Sequence, residues 1–271
     1  MLEMLSYDFF LRALLVGMLV SLCASLLGVS LVLKRFSMIG DGLSHVGFGA
    51  LAVAAAMNLA PLQVSIPVVV IAAFLLLRVS GHGKINGDAA IAVCSSGALA
   101  IGAVILSQSG GAADINSYMF GSIMAITGDD LLLSVICSAV VIVLFILFYN
   151  KIFAVTFDES FSRATGVKTE LYNTVIALLT ALTVVVGMRI MGALLISSLI
   201  IFPALASMRI FKSFKSVTVC SAVLCEVCFI AGMELTCEID WPAGASVVIA
   251  NLCAFVIFSI VGAILKRTKK S

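Results

Sequence analysis

Charged residues are scarce in this 271-residue chain: aspartate, glutamate, lysine and arginine together make up 11% of it, whereas hydrophobic residues make up 62%. Soluble globular domains usually carry about 25% charged residues, so the composition argues against a soluble domain of any size. Backbone groups inside a bilayer must hydrogen-bond within a helix or a closed barrel, and apolar runs of about 20 residues suit helices. The sequence therefore predicts an all-α, polytopic membrane protein with a single transmembrane domain over residues 1–271.

Several enzyme motifs are also missing. The sequence has no GxxxxGK[ST] phosphate-binding loop, so we expect no ATP hydrolysis by the chain itself, and it has no HExxH metalloprotease motif. The eight cysteines fall mostly within apolar runs, and the single CxxC pair, Cys225 and Cys228, lacks the second pair that a zinc site needs. We therefore interpret the cysteines as small buried hydrophobic residues.

Nine apolar segments have about the length that a helix needs to cross a bilayer. With the N-terminus outside, all but two of the 16 lysine and arginine residues fall on one side, the exceptions being Arg12 and Arg189. Cytoplasmic loops are enriched in basic residues, so the charge pattern predicts an N-out, C-in orientation. The predicted spans are 9–33, 41–59, 63–79, 89–107, 130–149, 171–188, 191–208, 216–234 and 243–265.

Asp41 and His45 are the first candidates for a functional site, because ionisable side chains inside a membrane are costly. They are four residues apart, so on a helix they share one face. A carboxylate oxygen and an imidazole nitrogen placed in this way can chelate one divalent ion such as Zn²⁺, Mn²⁺ or Fe²⁺. A tetrahedral site needs four ligands, which a two-fold pair of chains would supply. The alternative is structural: Asp41 caps the helix N-terminus and His45 is hydrogen-bonded in the interior.

Two further sites are less specific. Glu226 lies in the middle of the span 216–234, where we interpret it as a structural polar contact between helices, with a transport role as the alternative. In the polar segment 150–170, Asp158 and Glu159 suit a helix N-terminus and Gly166 suits its end. This pattern predicts a short amphipathic helix that either docks in a groove of another protein or is an ordinary interfacial helix.

Over essentially its whole length, the chain resembles the permease subunits of zinc, manganese and iron ABC importers, the ABC-3 family. Several ordered matches at family-like spacing carry this resemblance, and Gly40-Asp-Gly-Leu-Ser-His45 alone would be only suggestive. The other matching stretches are Ser117-Tyr-Met-Phe-Gly121-Ser, Phe157-Asp-Glu to Gly166-Val, Gly192-Ala-Leu-Leu-Ile-Ser-Ser to Phe202-Pro203-Ala, and Pro242-Ala-Gly244.

The resemblance implies a set of partners. These are a second permease copy, two cytoplasmic ATPase subunits and an extracytoplasmic metal-binding protein, all at a prokaryotic inner or plasma membrane. It implies no permanently bound cofactor, only a transported divalent metal, no enzymatic activity in this chain, and no nucleic-acid partner. Family members commonly have fewer than nine spans, so a predicted span is expected to be split or re-entrant, and 187–192 is the first place to look.

The resemblance also implies roles for particular residues. Asp41 and His45 match the positions thought to touch the metal in the pathway. The segment 114–124 would lie near the outer mouth, facing the delivery protein. The segment 157–167 would be the coupling helix seated on the ATPase. Its candidate coupling residues are Phe157, Asp158, Glu159, Arg163 and Gly166.

Rival functions differ in testable ways. An ion-gradient-driven metal carrier or a channel would use Asp41 and Glu226 as ion or proton sites, but it gives no role to 157–166; dependence on a separate ATPase discriminates it. An intramembrane hydrolase would need Ser44 and His45 as a nucleophile–base pair, but adjacent residues point to different sides of a helix. For the importer, imidazole favours zinc as the cargo, and manganese follows because carboxylate oxygen suits it.

Overall fold

The computed structural model describes residues 7–59, 61–82, 87–108, 128–239 and 241–268. These residues form eleven α-helices and, within the described ranges, no strand. The all-α prediction is therefore confirmed. The helices are α1 (Asp8–Leu33), α2 (Ile39–Ala56), α3 (Pro61–His82), α4 (Gly87–Gln108), α5 (Gly128–Leu147), α6 (Tyr149–Phe157), α7 (Glu159–Ala164), α8 (Thr169–Met191), α9 (Ala193–Ile210), α10 (Phe214–Ile239) and α11 (Ala243–Thr268).

The helices pack around α1 and α2. Helix α1 contacts α5, α8, α9 and α10, and its side chains are buried over most of its length. Helix α2 contacts α3, α4, α8 and α9, while α11 covers α9 and α10 on the other side. The outer faces of the helices carry large exposed apolar side chains such as Ile146, Val223 and Ile257. An apolar exterior over an apolar core is the arrangement that lipid requires.

Glycines allow the closest helix approaches. A Cβ placed on Gly28 of α1 would lie 2.1 Å from the carbonyl oxygen of Ile200 in α9. A Cβ placed on Gly232 of α10 would lie 2.5 Å from Cα of Val247 in α11. Small residues at helix contacts are typical of membrane proteins, because packing rather than water exclusion holds their helices together.

Two breaks interrupt the helices. Gly192, with a φ of 89°, separates α8 from α9. A break was expected within 187–192. It lies at Gly192, and α8 continues without interruption through Gly187. The second break is at Phe148, where α5 and α6 meet at a bend of 70°. The rings of α6 at Tyr149 and Phe153 pack on Phe214 at the start of α10, with ring centroids 5.6 and 5.1 Å apart.

The number of spans differs from the prediction. In the described residues, seven helices are long and apolar enough to cross a membrane: α1, α2, α4, α8, α9, α10 and α11. The bent pair α5–α6 makes an eighth if it counts as one span, and the apolar part of α3, Gln63–Leu76, is shorter. The protein is thus a multi-pass membrane protein, but nine spans are not confirmed, and the N-out, C-in orientation stays a prediction.

Candidate functional site

Asp41 and His45 lie one turn apart near the start of α2. Asp41 is the third residue of this helix, and the N-cap position is Met38, which makes no side-chain cap. The alternative that Asp41 caps the helix is therefore wrong. Nε2 of His45 is 3.6 Å from Oδ2 of Asp41, and the two side chains are 22% and 40% exposed. The pair is thus partly open, because a packed interior pair would expose far less surface.

The side chain of Ser197 in α9 reaches this pair from another helix. Its Oγ lies 3.5 Å from Oδ1 of Asp41. Two glycines let α2 come close enough to its neighbours: a Cβ on Gly40 would meet Ile200 of α9 at 2.8 Å, and one on Gly42 would meet Ile91 of α4 at 2.5 Å. Sequence reasoning missed Ser197, although it lies inside the family-like stretch 192–204.

The donor set of one chain is small. Nε2 is the nitrogen of His45 that faces Asp41, whereas its Nδ1 is buried and has no hydrogen-bond partner among the described residues. The described residues also contain no group of three or more histidine, cysteine, aspartate or glutamate side chains able to hold a metal. Among the described residues of one chain, Asp41 and His45 could thus give a divalent ion two protein ligands, which is too few for a closed tetrahedral site.

Glu226 joins α10 to α1. The Oγ of Ser21 donates a hydrogen bond of 2.7 Å to Oε1 of Glu226. The other carboxyl oxygen, Oε2, is buried without a hydrogen-bond partner among the described residues. The structure thus places Glu226 in a polar contact between two helices and does not bring it together with Asp41 and His45, since α10 packs mainly on α1, α9 and α11.

The segment after α6 forms the short helix α7. Asp158 occupies its N-cap and accepts a 2.9 Å hydrogen bond from the backbone N–H of Phe161. Gly166 follows the helix with a φ of 81°, a conformation that glycine adopts without strain. The side chains of Phe157 and Phe161 are 73% and 66% exposed. Phe157 at the end of α6 and Phe161 in α7 therefore present an apolar surface next to the charged residues of α7.

Charged side chains stabilise α7 locally. Arg163 lies 3.5 Å from Glu159 one turn earlier, and its Nε donates to Oγ1 of Thr169 at the start of α8, at 3.4 Å. The predicted start and end of this helix thus agree with the structure.

The segment 114–124, expected near an outer mouth, lies outside the described residues.

The chain matches known proteins over almost all of its length. It is 24% identical over 251 residues to the manganese import system permease protein ScaB of Streptococcus gordonii, covering 93% of this chain and 90% of that protein. It is 26% identical over 252 residues to the high-affinity zinc uptake system membrane protein ZnuB of Haemophilus influenzae, covering 93% and 97%.

The fold is also similar to that of a solved structure. The structure of PsaBC from Streptococcus pneumoniae in complex with Fab superposes with a TM-score of 0.84 at 25% identity, covering 95% of this chain and 93% of that chain. A family model described as the ABC 3 transport family matches residues 6–262. Since that match spans nearly the whole sequence, the chain belongs to the ABC 3 transport family.

Proposed function

We propose that this chain is the membrane permease of an ATP-driven importer that moves a divalent metal ion into the cytoplasm. The carrying observation is the Asp41–His45 pair: two metal-ligand types, one turn apart and partly exposed, in a helix of a permease family member. The relatives named for manganese and zinc uptake support a metal as the cargo. The chain has no ATP-binding loop of its own, so ATPase subunits supply the energy.

The pathway is proposed to run between two copies of the chain. Each copy contributes one carboxylate and one imidazole, so a pair contributes four ligands. The 40% exposure of Asp41 supports this arrangement, because its side chain is accessible from outside the single chain. An incomplete or transient site suits transport, since the ion must bind and then leave.

Helix α7 is proposed to be the contact with the ATPase. The exposed Phe157 at the end of α6 and the exposed Phe161 of α7 give this segment an apolar docking surface, and the Asp158 cap keeps the first turn of α7 in place. ATP binding would draw the ATPase subunits together, α7 would move with them, and access to the pathway would alternate. An extracytoplasmic binding protein would deliver the ion from the other side.

Zinc is the proposed cargo, and manganese is the second candidate. Imidazole nitrogen suits zinc well, whereas manganese prefers carboxylate oxygen, and the site holds one of each per chain. Both metals occur in the names of relatives. A gradient-driven carrier remains the rival, and it differs by needing no ATPase.

The test is ATP-dependent uptake into proteoliposomes that contain the permease, its ATPase and its binding protein. We expect Asp41→Asn and His45→Gln to lose uptake of ⁶⁵Zn while the complex still assembles and hydrolyses ATP. Glu170→Gln, which removes an exposed carboxylate at the start of α8, is the matched control and should transport normally. Normal uptake in both site variants would refute the pathway role, and preferential ⁵⁴Mn uptake by the wild type would change the cargo.

A further inference from the structure

Lys34 occupies an unusual position for a lysine. It follows the last residue of α1, and its side chain is only 10% exposed. Its ammonium group lies 3.5 Å from Oε2 of Glu159 in α7 and donates a short hydrogen bond to Oδ1 of Asn173 in α8. Burial lowers the pKa of Lys34, and the nearby Glu159 carboxylate opposes that shift. A buried ammonium is costly unless it is paired and hydrogen-bonded, so this contact is specific.

This contact connects parts of the chain that are far apart in sequence. The residues of the pair are 125 positions apart, whereas the other polar contacts described for α7 are local. Asp158 bonds to the backbone of the next turn, and Arg163 reaches Glu159 and the nearby Thr169. Within the described part of the chain, Lys34 therefore carries the polar link between α7 and the end of α1.

From Lys34, a short tight turn leads into the metal-ligand pair. The backbone N–H of Phe36 donates to the carbonyl of Leu31 at 2.9 Å, and that of Ile39 donates to Phe36 at 3.1 Å. Arg35 within this turn has a φ of 63°, which fixes an uncommon backbone conformation. Asp41 follows as the third residue of α2. A hydrogen-bonded turn thus connects Lys34 to the start of α2.

We propose that Lys34 is the residue that transmits movement of α7 to the start of α2, and so couples the ATPase to the metal-ligand pair. Lys34 is a positioning residue, because it touches neither the metal nor ATP. The inference rests on the proposed function, in which α7 is seated on the ATPase. A hydrogen-bonded ammonium suits this role, since it holds the end of α1, α7 and α8 at one point.

The test is the number of metal ions taken up per ATP hydrolysed by the reconstituted complex. Lys34→Met keeps an unbranched chain of similar length but removes the charge. We expect it to bind the ATPase and hydrolyse ATP at a near wild-type rate while the uptake ratio falls at least about fivefold, the lower end of typical coupling between sites. Lys34→Arg, which keeps the charge, should retain most of the ratio. Lys151→Met removes an exposed lysine on α6 and should leave the ratio unchanged.

A double-mutant cycle separates transmission from simple stability. If Glu159 and Lys34 act as a unit, Glu159→Gln should lower the ratio by itself and add little to Lys34→Met. A wild-type ratio in Lys34→Met, or a ratio that falls only in proportion to the thermal stability of each variant, would overturn the inference. If Lys34→Met does not fold, Glu159→Gln alone decides, and a normal ratio there overturns it. Failure of the proposed function is distinguishable, because the wild-type complex would then show no ATP-dependent uptake.

Discussion

Gly28 is the position where one added methyl group should disturb the bundle most directly. The Cβ of Gly28→Ala would lie 2.1 Å from the carbonyl oxygen of Ile200. Since carbon and oxygen atoms rarely approach closer than about 3.3 Å, the two helices must separate locally by roughly 1 Å. The obstacle is backbone rather than a flexible side chain, so it cannot rotate away. Ile200 also packs against Gly40 of α2, and the displacement should therefore reach the start of that helix.

The size of the effect follows from two opposing contributions. Overpacking a close contact costs about 1–3 kcal/mol. When the two helices move apart, gaps of about 0.5–1 Å open elsewhere in the interface, and each dispersion contact there loses about a quarter to a half of its energy. Replacing a helical glycine by alanine returns about 0.5–1 kcal/mol of conformational entropy. Gly97→Ala in α4 measures the second contribution alone, since nothing lies within 4 Å of its added Cβ. The difference between the two variants therefore isolates the clash.

Thermal unfolding in detergent, followed with a thiol-reactive fluorogenic dye, provides the measurement. The exposed Cys253 gives a constant signal that is subtracted, whereas Cys23 and Cys225 are 1% and 0% exposed, so these two react only when the bundle opens. For a chain of this size, about 1–3 kcal/mol corresponds to a melting temperature roughly 2–12 °C lower in Gly28→Ala than in Gly97→Ala. Equal melting temperatures for the two variants would refute the close α1–α9 contact.

Three other predictions concern single features of the structure. Gly192→Ala places a side chain at a φ of 89° and a ψ of 155°, a backbone region used almost only by glycine, so it should be about 1–3 kcal/mol less stable in the same dye assay; an unchanged melting temperature would contradict the positive φ. Asp158→Ala removes the cap on Phe161 at a cost of about 1 kcal/mol, which hydrogen exchange across α7 should report as faster exchange. Asp158→Asn should keep the protection, and equal exchange in all three proteins would rule out the cap. Ser21→Ala leaves Glu226 without its 2.7 Å hydrogen bond and should cost about 1–3 kcal/mol, whereas in a Glu226→Leu background, which offers Ser21 no acceptor, the same change should cost little; additive losses in the double variant would show that the bond is absent.

The sequence could predict features that depend on local chemistry. The helical class follows from long apolar runs, and the bounds of α7 follow from Asp158 and Gly166, because caps and helix ends use particular residue types. The contacts of Ser197 and Lys34 could not be predicted in this way. They join residues 156 and 125 positions apart, and such pairs are set by how the helices pack rather than by any nearby pattern.

The count of spans shows a second limit of sequence reasoning. Hydropathy measures how apolar a segment is but not the direction of its helix axis. The bend at Phe148 could therefore not be predicted from it. In contrast, the break at Gly192 could be predicted, because glycine tolerates the positive φ found between these two helices. The same glycine pattern could not reveal which carbonyl Gly28 would touch, since that depends on the crossing of α1 and α9.

The 70° bend at Phe148 also has a consequence for how α5 and α6 can be placed in a bilayer. The apolar part of α5, Leu131–Leu147, is about 25 Å long, somewhat less than the roughly 30 Å hydrocarbon thickness of a typical membrane, so α5 supplies most of this span and the chain bends near its end. Helix α6 can then lie along the membrane surface, where a tyrosine ring such as that of Tyr149 is favoured. A thicker or thinner bilayer would shift α6 relative to the lipid headgroups. Because Asp158 alone separates α6 from α7, a change in bilayer thickness should also change the position of α7, the helix that we assign to the ATPase contact.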